Sequence, residues 1–463
     1  MQLLHRRLCM ATGSAAGGLG GDRSSCSKQL AIAVSSSSST VSTSSSAAAA
    51  AAVSEALSST MSLRSLPSLP ATAAGDSCLV SSFAHVTTLL PLSTGTASAA
   101  AVAVADSVHG GFVVARAATV ALHDMLTMEA TSTSDSADDS SASGSVKCVA
   151  HLHGGKTAVT GHQDGRLRLW RVSKGAPGRL RHAAELPTVS DRLRRFPVPS
   201  NHVTVRRHHR RLWIEHADAV SGVAASADGR FLFSVSWDKT LKVWSLPALR
   251  CLQSLPAHDD AINAVAVAPD GTVYTGSADR RVRVWEPRPD SDKARRHNRK
   301  PAPAYHLVAT LSRHMAAVNA VAVGCGGQVL YSGGNDRCVV VWEREDSASH
   351  MVAVGALRAH RKAVLSVACA GGDGGLVVSG SADQTVRAWR RAADGRGYAC
   401  LAVIDAHGSA VRSVTAALVT SQKWHRPGGG ADDVDSDGDE EWRVCSASFD
   451  GEVQLWSLRV AAA

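Results

Sequence analysis

Residues 216–244 of the chain, HADAVSGVAASADGRFLFSVSWDKTLKVW, contain the pattern from which the fold can be predicted. Apolar residues alternate after His216, a turn pair stands at Asp228-Gly229, and Asp238-Lys239 separates two short β-type runs. Alternation with a period of two, interrupted by turn residues, is typical of an antiparallel sheet and not of a helix. The stretch therefore predicts a small sheet of short strands joined by tight turns.

The same punctuation recurs along the chain. In six stretches a Trp follows an Asp by six residues, and a Ser or Thr precedes that Asp by four. In five of the six a His comes earlier, at 22, 21, 22, 23 and 43 residues before the Asp. The complete sets are His216, Ser234, Asp238 and Trp244; His258, Thr275, Asp279 and Trp285; His314, Ser332, Asp336 and Trp342; His360, Ser379, Asp383 and Trp389; and His407, Ser446, Asp450 and Trp456. A regular period of about 40–50 residues indicates radial repetition of four-stranded blades.

The repeat endings SWDKTLKVW, SADRRVRVW, GNDRCVVVW and SADQTVRAW resemble those of the WD-repeat (WD40) family. The resemblance implies an all-β, seven-bladed WD40 β-propeller in which each set forms a buried hydrogen-bonded chain. A catalytic triad occurs once in an enzyme, whereas these His, Ser and Asp residues recur in blade after blade. We therefore expect a structural polar network, no catalytic residue and no enzymatic activity.

Composition narrows the class of protein further. The chain has 463 residues, a formal net charge of +9 and ten Cys with no C-x-x-C pair. No run of 18 apolar residues is present, so we expect no membrane span and a cytoplasmic or nuclear location. Asp433, Asp435, Asp437 and Gly438 mimic the start of a calcium loop, but Val444 stands where that loop needs Glu. We expect no metal site and no cofactor.

Two domains are predicted. Residues 1–76 are rich in Ser and Ala and lack the side chains to build a core, so we predict a disordered tail. Residues 77–460 should form the propeller. Because few residues follow Trp456, a strand at residues 77–83 is expected to complete the last blade and close the ring.

The first blade is predicted to be degenerate. GFVVARAATVALHD aligns with the central hairpins of later blades, but Ala117 and His123 replace the Asp and the Trp. His85 is the candidate His of this blade. The second blade, residues 146–215, keeps Thr160, Asp164 and Trp170 but has no His at the usual place.

Three insertions interrupt the repeat: residues 171–211 and 286–304 are basic, and residues 421–441 are acidic. We place the first two between the third and fourth strands of their blades, and the third between the first and second strands of blade seven. All three would then emerge on one face, the wider one. RRHHRR and RRHNRK could bind phosphates or an acidic protein partner. The lack of interleaved aromatic residues argues against nucleic acid.

The resemblance implies that other proteins bind the opposite, narrower face, which we call the top face. It should carry the residue before each Asp and residues near the start of each first strand. The candidate partner-binding residues are Trp237, Phe449, Gln163, Asn335, Asn263, Asn319, Leu365 and Arg412. Trp237 and Phe449 are the main candidates, because exposed aromatic residues are common anchors at interfaces.

A second functional hypothesis rests on VYTGSADRRVRVWEPR, residues 273–288. The stretch resembles the box by which some WD-repeat proteins dock to the adaptor of cullin-RING ubiquitin ligases. The matching positions are Asp279, Trp285, Glu286 and Arg288. Only Glu286 and Arg288 depart from ordinary repeat consensus, so the prediction of a substrate receptor depends on those two residues.

Residues 77–460 resemble most closely the plant JINGUBANG-like WD-repeat proteins. This resemblance rests on LPTVSDRLRRF, on the basic stretch before RLWIEHADAV, and on AHDDAINAVAV followed by YTGSADRRVRVW. It implies a monomeric, non-catalytic interaction scaffold that acts in plant signalling or transcriptional control. A nucleic-acid-associated factor that uses the basic loops is the remaining alternative.

Overall fold

The computed structural model describes residues 66–69, 71–72, 80–89, 101–104, 111–116, 119–124, 130–134, 145–152, 157–173, 179–206, 209–288, 304–348, 350–371, 375–392, 395, 397–419 and 440–460. All of them belong to one compact unit, residues 60–463. The predicted tail up to residue 65 lies outside the described residues.

The described unit is built from antiparallel groups of four strands. Before them come β1 (Ala71–Thr72) and β2 (Val80–Leu89). Blade one comprises β3 (Ala101–Val104), β4 (Gly111–Arg116), β5 (Thr119–Asp124) and β6 (Ala130–Ser134). Blade two comprises β7 (Val146–Leu152), β8 (Thr157–His162), β9 (Leu167–Val172) and β10 (Arg179–Leu186).

Between blades two and three lie a helix, α1 (Val189–Arg195), a 3-10 turn (Pro199–Asn201), and a hairpin of β11 (His202–Arg206) and β12 (His209–Leu212). Blade three comprises β13 (Val220–Ala225), β14 (Phe231–Ser236), β15 (Thr240–Ser245) and β16 (Arg250–Pro256). Blade four comprises β17 (Ile262–Val267), β18 (Val273–Ser277), β19 (Val282–Pro287) and β20 (Tyr305–Leu311).

Blade five comprises β21 (Val318–Gly324), a 3-10 turn (Cys325–Gly327), β22 (Val329–Gly334), β23 (Cys338–Arg344) and β24 (Met351–Arg358). Blade six comprises β25 (Val364–Ala370), β26 (Leu376–Ser381), β27 (Thr385–Arg391) and β28 (Tyr398–Asp405). Blade seven contains β29 (Val411–Val419), β30 (Glu440–Ser448) and β31 (Val453–Val460).

The first strands of the blades form a closed ring. Each contacts the next, from β3 through β7, β13, β17, β21, β25 and β29, and β29 contacts β3. The second strands β18, β22 and β26 are buried along their whole length, because neighbouring blades cover both of their faces. A Cβ on Gly276 would come within 2.8 Å of Val318, and one on Gly333 within 2.6 Å of Val364. Glycine at these positions therefore permits the close approach of successive blades. The predicted all-β, seven-bladed WD40 propeller is confirmed.

The N-terminal strand completes blade seven. β2 pairs antiparallel with β31, from Val80 opposite Val460 to Leu89 opposite Val453. This pairing confirms that an N-terminal strand supplies the missing outer strand, although it extends beyond the predicted residues 77–83. His85 lies in this strand, opposite Trp456, so its assignment to blade one is wrong.

Residues 66–72 also pack on the propeller. Leu69 donates its backbone N–H to the carbonyl oxygen of Ala356 at 3.2 Å, and β1 pairs in parallel with β28. Leu66 and Leu69 are buried. The boundary predicted at residue 76 is therefore too late, because two leucines in the Ser/Ala-rich region reach the outer edges of blades five and six.

Blade one has the predicted central hairpin, with β4 and β5 paired from Gly111–Asp124 to Arg116–Thr119. His123 is buried and stacks on Phe112 with ring centroids 5.2 Å apart, so it fills the place of the repeat Trp. Ala117 lies outside the described residues. The outer strands β6 and β10 pair in parallel, which joins blades one and two in one eight-stranded sheet.

The first insertion is not where the sequence pattern placed it. β10 is already the fourth strand of blade two, so residues 187–212 follow that strand and precede blade three. In a four-stranded meander this connection emerges at the same end as the turn between the second and third strands. The segment therefore leaves blade two and enters blade three at the end that carries the top face, and its predicted place between the third and fourth strands of blade two is wrong. The other two insertions do lie between β19 and β20 and between β29 and β30, with residues 289–303 and 420–439 outside the described residues.

Candidate partner-binding face

Blade three shows the geometry of the repeated polar network. Asp238 accepts a hydrogen bond from Nδ1 of His216 at 3.0 Å, and Nε2 of the same ring is 2.8 Å from the Ser234 hydroxyl. The Trp244 indole N–H donates to that hydroxyl at 2.8 Å. Every link is buried or nearly so, which makes each hydrogen bond worth about 1–3 kcal/mol when one partner is removed.

Blades four, five and six repeat this arrangement. The distance from His Nδ1 to the Asp oxygen is 2.8, 2.7 and 3.1 Å for His258, His314 and His360. Nε2 is 2.8 Å from the hydroxyl in each case. The indole N–H donates to the same hydroxyl at 2.8–3.0 Å. This recurrence supports a structural role for the four residues and does not resemble a single active site.

The ionisation of the network follows from its burial. Burial lowers the pKa of His216, so the ring is held neutral. Burial also opposes the charge of Asp238, but contacts with His216, Thr240 and the Ala217 N–H outweigh it and hold the pKa of that carboxyl below its usual range. In blade four, the same balance against burial, with His258 as the main hydrogen-bond donor, lowers the pKa of Asp279 to about 2.

In blade two, His162 of the second strand takes the place of the missing repeat His. Nε2 of His162 is 2.8 Å from the Thr160 hydroxyl, and the Trp170 indole donates to the same oxygen at 2.8 Å. Asp164 instead accepts from the Arg168 guanidinium at 2.9 Å. The sequence analysis missed His162 because it stands two residues after the hydroxyl and not at the repeat spacing.

Blade seven uses a different carboxylate from the one predicted. Nε2 of His407 is 2.8 Å from Ser446, but the carboxylate facing Nδ1 is Glu452, at 3.5 Å. Asp450 accepts from the Ser448 hydroxyl and the Glu452 backbone N–H. Ligand-type atoms of His407, Asp450 and Glu452 lie within 4.8 Å of one another, because Nδ1 of His407 faces Glu452 and Asp450 accepts from the Glu452 backbone N–H.

The two aromatic candidates differ in exposure. Trp237 is half-buried in the turn before Asp238, whereas Phe449 is 43% exposed. The Arg412 guanidinium lies 5.8 Å from the Phe449 ring centroid and also donates to the backbone oxygen of Lys147 at 2.7 Å. Phe449 thus rests on a fixed arginine and presents its ring at the surface.

Two polar candidates also hold blades together. Asn263 donates its side-chain amide to the carbonyl oxygen of Val318 at 2.9 Å, and Asn319 donates to Val364 at 2.8 Å. Asn319 donates to the Asn335 side chain as well, at 2.7 Å. These amides therefore have structural partners in the ring. Gln163 is exposed and accepts from the Ser145 hydroxyl at 3.0 Å, and Leu365 is half-buried.

The insertion creates a groove that the sequence analysis did not predict. A cavity of about 840 Å³ lies between the β11–β12 hairpin and the top of blade three. Thr204 and Arg211 line it from the hairpin, and Asp218 and Asp238 line it from blade three. The groove also reaches the buried Lys242, which donates to the Ser254 hydroxyl at 2.6 Å.

The four residues of the predicted ligase-adaptor box lie in two different environments. Asp279 and Trp285 belong to the polar network of blade four. Glu286 is half-buried, with its carboxylate 4.0 Å from the Arg344 guanidinium. Arg288 is exposed just after β19, and its backbone N–H donates to Ala304 at 2.8 Å. Glu286 and Arg288 therefore lie at the end of the blade opposite the top face.

Five segments match the family model described as WD domain, G-beta repeat: residues 138–171, 208–245, 249–286, 305–343 and 351–390. They cover the first three strands of blades two to six, and the last three matches also include the outer strand of the preceding blade. Residues 172–207, which include α1 and most of the hairpin, lie between two of the matches. No helix among the described residues is long and apolar enough to cross a membrane.

Several curated proteins are similar over part of their length. An uncharacterized WD repeat-containing protein of Schizosaccharomyces pombe is 38% identical over 18% of this chain and 16% of its own. Mitochondrial division protein 1 of the same organism is 30% identical over 28% of this chain and 20% of its own. The U3 small nucleolar RNA-associated protein 15 homolog of Gallus gallus is 24% identical over 42% and 37%. The chain thus spans well under half of these relatives.

Proposed function

We propose that this chain, five segments of which match the WD-domain model, is a non-catalytic WD40-type scaffold that binds a protein partner on the top face. WD40 domains generally bind other proteins, which supports a scaffold role. The top face is favoured by Phe449 on its arginine, by Trp237 at the equivalent position of blade three, and by the charged groove beside that blade. Aromatic and arginine side chains are the usual anchors of protein interfaces.

The basic insertion contributes charge to this face. Arg210 is exposed on the hairpin, and Arg211 lines the groove. We propose that these charges favour an acidic partner and accelerate its association, while the aromatic residues hold it. A role in plant signalling or transcriptional control, in the cytoplasm or nucleus, is proposed from the resemblance to JINGUBANG-like proteins.

The test is partner capture with single variants of the full chain, quantified by mass spectrometry. Trp237→Ala and Phe449→Ala should each weaken the principal partner by about 1–3 kcal/mol without changing the melting temperature. Val352→Ala is the control, because Val352 is comparably exposed on the outer strand of blade five. Loss of the partner with Arg210→Ala and Arg211→Ala at every salt concentration, with both aromatic variants binding normally, would contradict the aromatic anchors.

A second candidate function is supported by the exposure of Arg288. A cullin-RING substrate receptor needs an accessible arginine at this position, and Glu286 remains partly accessible beside it. Arg288→Ala should abolish recovery of the ligase adaptor and leave top-face partners bound. Absence of the adaptor from the wild-type complex would eliminate this candidate.

A further inference from the structure

The segment between blades two and three exposes an unusual share of apolar surface. Eleven large apolar side chains are exposed among the described residues, and five of them lie within residues 189–203. These five are Val189, Leu193, Phe196, Val198 and Val203. Large apolar side chains that cluster at a surface usually mark a binding site, whereas isolated ones do not.

The helix that carries this patch is held in place from its other side. The Thr188 hydroxyl caps α1 by accepting from the Asp191 N–H at 3.2 Å. Asp191 is buried and accepts from Nε of Arg195 at 3.1 Å. The same guanidinium lies 4.4 Å from the Trp213 ring centroid and donates to the carbonyl oxygen of Cys251 in β16 at 3.2 Å. The helix is therefore fixed against the outer edge of blade three.

Further bonds orient the segment after the helix. The Asn201 amide donates to the carbonyl oxygen of Arg195 at 3.0 Å, and the Trp213 indole donates to the Asn201 side chain at 3.1 Å. Arg192 pairs with Glu215 at 2.8 Å. Asp191 and Arg195 face the propeller, whereas Val189, Leu193 and Phe196 on the other side of α1 are 66–68% exposed. A surface that is already rigid loses little conformational entropy when a partner binds.

The exposed charges around the apolar side chains of α1 are mainly positive, which favours an acidic partner. Arg194 and Arg210 are exposed, and Arg192 is partly exposed. The acidic residues nearby are already engaged: Asp191 is buried with Arg195, and Glu215 is paired with Arg192. Val189, Leu193 and Phe196 follow at intervals of four and three, which places them along one side of α1. Apolar anchors within a basic rim complement an acidic, amphipathic segment.

We propose that the α1 segment, residues 187–203, is a docking surface for an acidic amphipathic helix of a partner protein. This inference rests on the proposed scaffold function and names the class of ligand that the insertion recognises. Leu193 and Phe196 contact the apolar side of the incoming helix. Arg194 and Arg210 contact its carboxylates.

The test uses the full chain and two synthetic peptides of about 16 residues, which is about four helical turns. Both carry Leu at the same helical spacing, one with Asp and Glu at the other positions and one with Lys. Binding is measured by fluorescence anisotropy at several salt concentrations. The acidic peptide should bind and the basic one should not. Leu193→Ser combined with Phe196→Ser should weaken binding at least about tenfold, and Arg194→Glu should weaken it and flatten its salt dependence.

Val403→Ser is the matched control, because Val403 is a similarly exposed apolar residue on the outer strand of blade six. Circular dichroism and the melting temperature confirm that every variant is folded. Failure of the acidic peptide to bind, or unchanged binding by the Leu193/Phe196 variant, overturns the proposal. So does binding of single-stranded oligonucleotides that depends on Arg194 alone, or self-association of the chain that the Leu193/Phe196 variant abolishes. Should the peptide fail while Trp237→Ala still releases the captured partner, the scaffold function stands without this second surface.

Discussion

Blades three to six and blades two and seven carry out the same structural task with different residues. In the first group, His, Ser or Thr, Asp and Trp are linked within each blade at 2.7–3.1 Å. In blade two a strand residue, His162, reaches the hydroxyl, and in blade seven Glu452 faces the buried His407. The hydroxyl with its His partner is the common element, and the source of the remaining groups varies.

The blades also differ in whether their four strands are consecutive along the chain. Blade six has all four strands in consecutive order, whereas blade seven takes its outer strand from β2 near the other end of the chain. The divided blade closes the ring, because β2 joins the N-terminal region to β31 by backbone hydrogen bonds. Its integrity should therefore matter more than that of any single network.

The largest effect is expected from removing the closing strand. Deletion of residues 1–90 leaves the edge of β31 unpaired and should cause loss of cooperative unfolding and aggregation. Deletion of residues 1–64 retains Leu66, Leu69 and β2 and should leave the melting temperature unchanged. Thermal unfolding and size-exclusion chromatography of both truncations measure this difference. Equal behaviour of the two truncations would contradict closure by β2.

The next largest effect is a difference in stability between the complete network of blade three and the altered network of blade two. Asp238→Ala leaves the buried His216 without its carboxylate and should lower the free energy of unfolding by about 2–4 kcal/mol. Asp164→Ala removes a carboxylate that is 24% exposed and contacts the Arg168 guanidinium and the Arg166 N–H instead of a buried His, so it should cost less, about 1–2 kcal/mol. Chemical denaturation of both variants gives the two values. An unchanged stability of Asp238→Ala would contradict the structural role of the network.

A smaller loss of stability is expected when His162, which takes the place of the repeat His in blade two, is removed. His162→Ala removes the ring that meets the buried Thr160 hydroxyl and should cost about 1–2 kcal/mol. His182→Ala is the control, since this exposed ring only contacts the edge of Trp170. If the two substitutions destabilised equally by chemical denaturation, His162 would have no special place in blade two.

The last prediction concerns how the free energy of unfolding changes in acid because of one network carboxylate, Asp279. Asp279 has a pKa of about 2 against a usual value of 3.8, because its hydrogen bonds from His258 and from backbone N–H groups outweigh burial. Its contribution to stability is therefore complete above about pH 4 and is lost as the pH falls towards 2. Asp279→Asn should reduce the slope of the free energy of unfolding against pH in this interval. A slope equal to that of the wild type would place the acid sensitivity elsewhere.

The sequence by itself determined the repeat and its period, and with them the fold class, the polar networks of blades three to six and the need for a closing strand. Those features depend on local alternation and fixed spacing, which are visible along one chain. The position of the basic insertion was not predictable in this way, because β10 (RLRHAAEL) carries arginines just as the residues after it do. Only strand pairing showed that β10 is the fourth strand of blade two and that the insertion follows it.

Tertiary structure alone decided which side chains replace absent partners. His162 meets Thr160 two residues away in the same strand, Glu452 faces His407 within blade seven, and Arg195 of α1 reaches Cys251 of blade three. None of these separations follows the repeat spacing. The same holds for Leu66 and Leu69, which lie in a Ser/Ala-rich stretch but pack on distant blades. A buried polar or apolar group is stabilised by whatever complementary group lies nearest in space, and that neighbour is set by the closed ring and not by the order of residues.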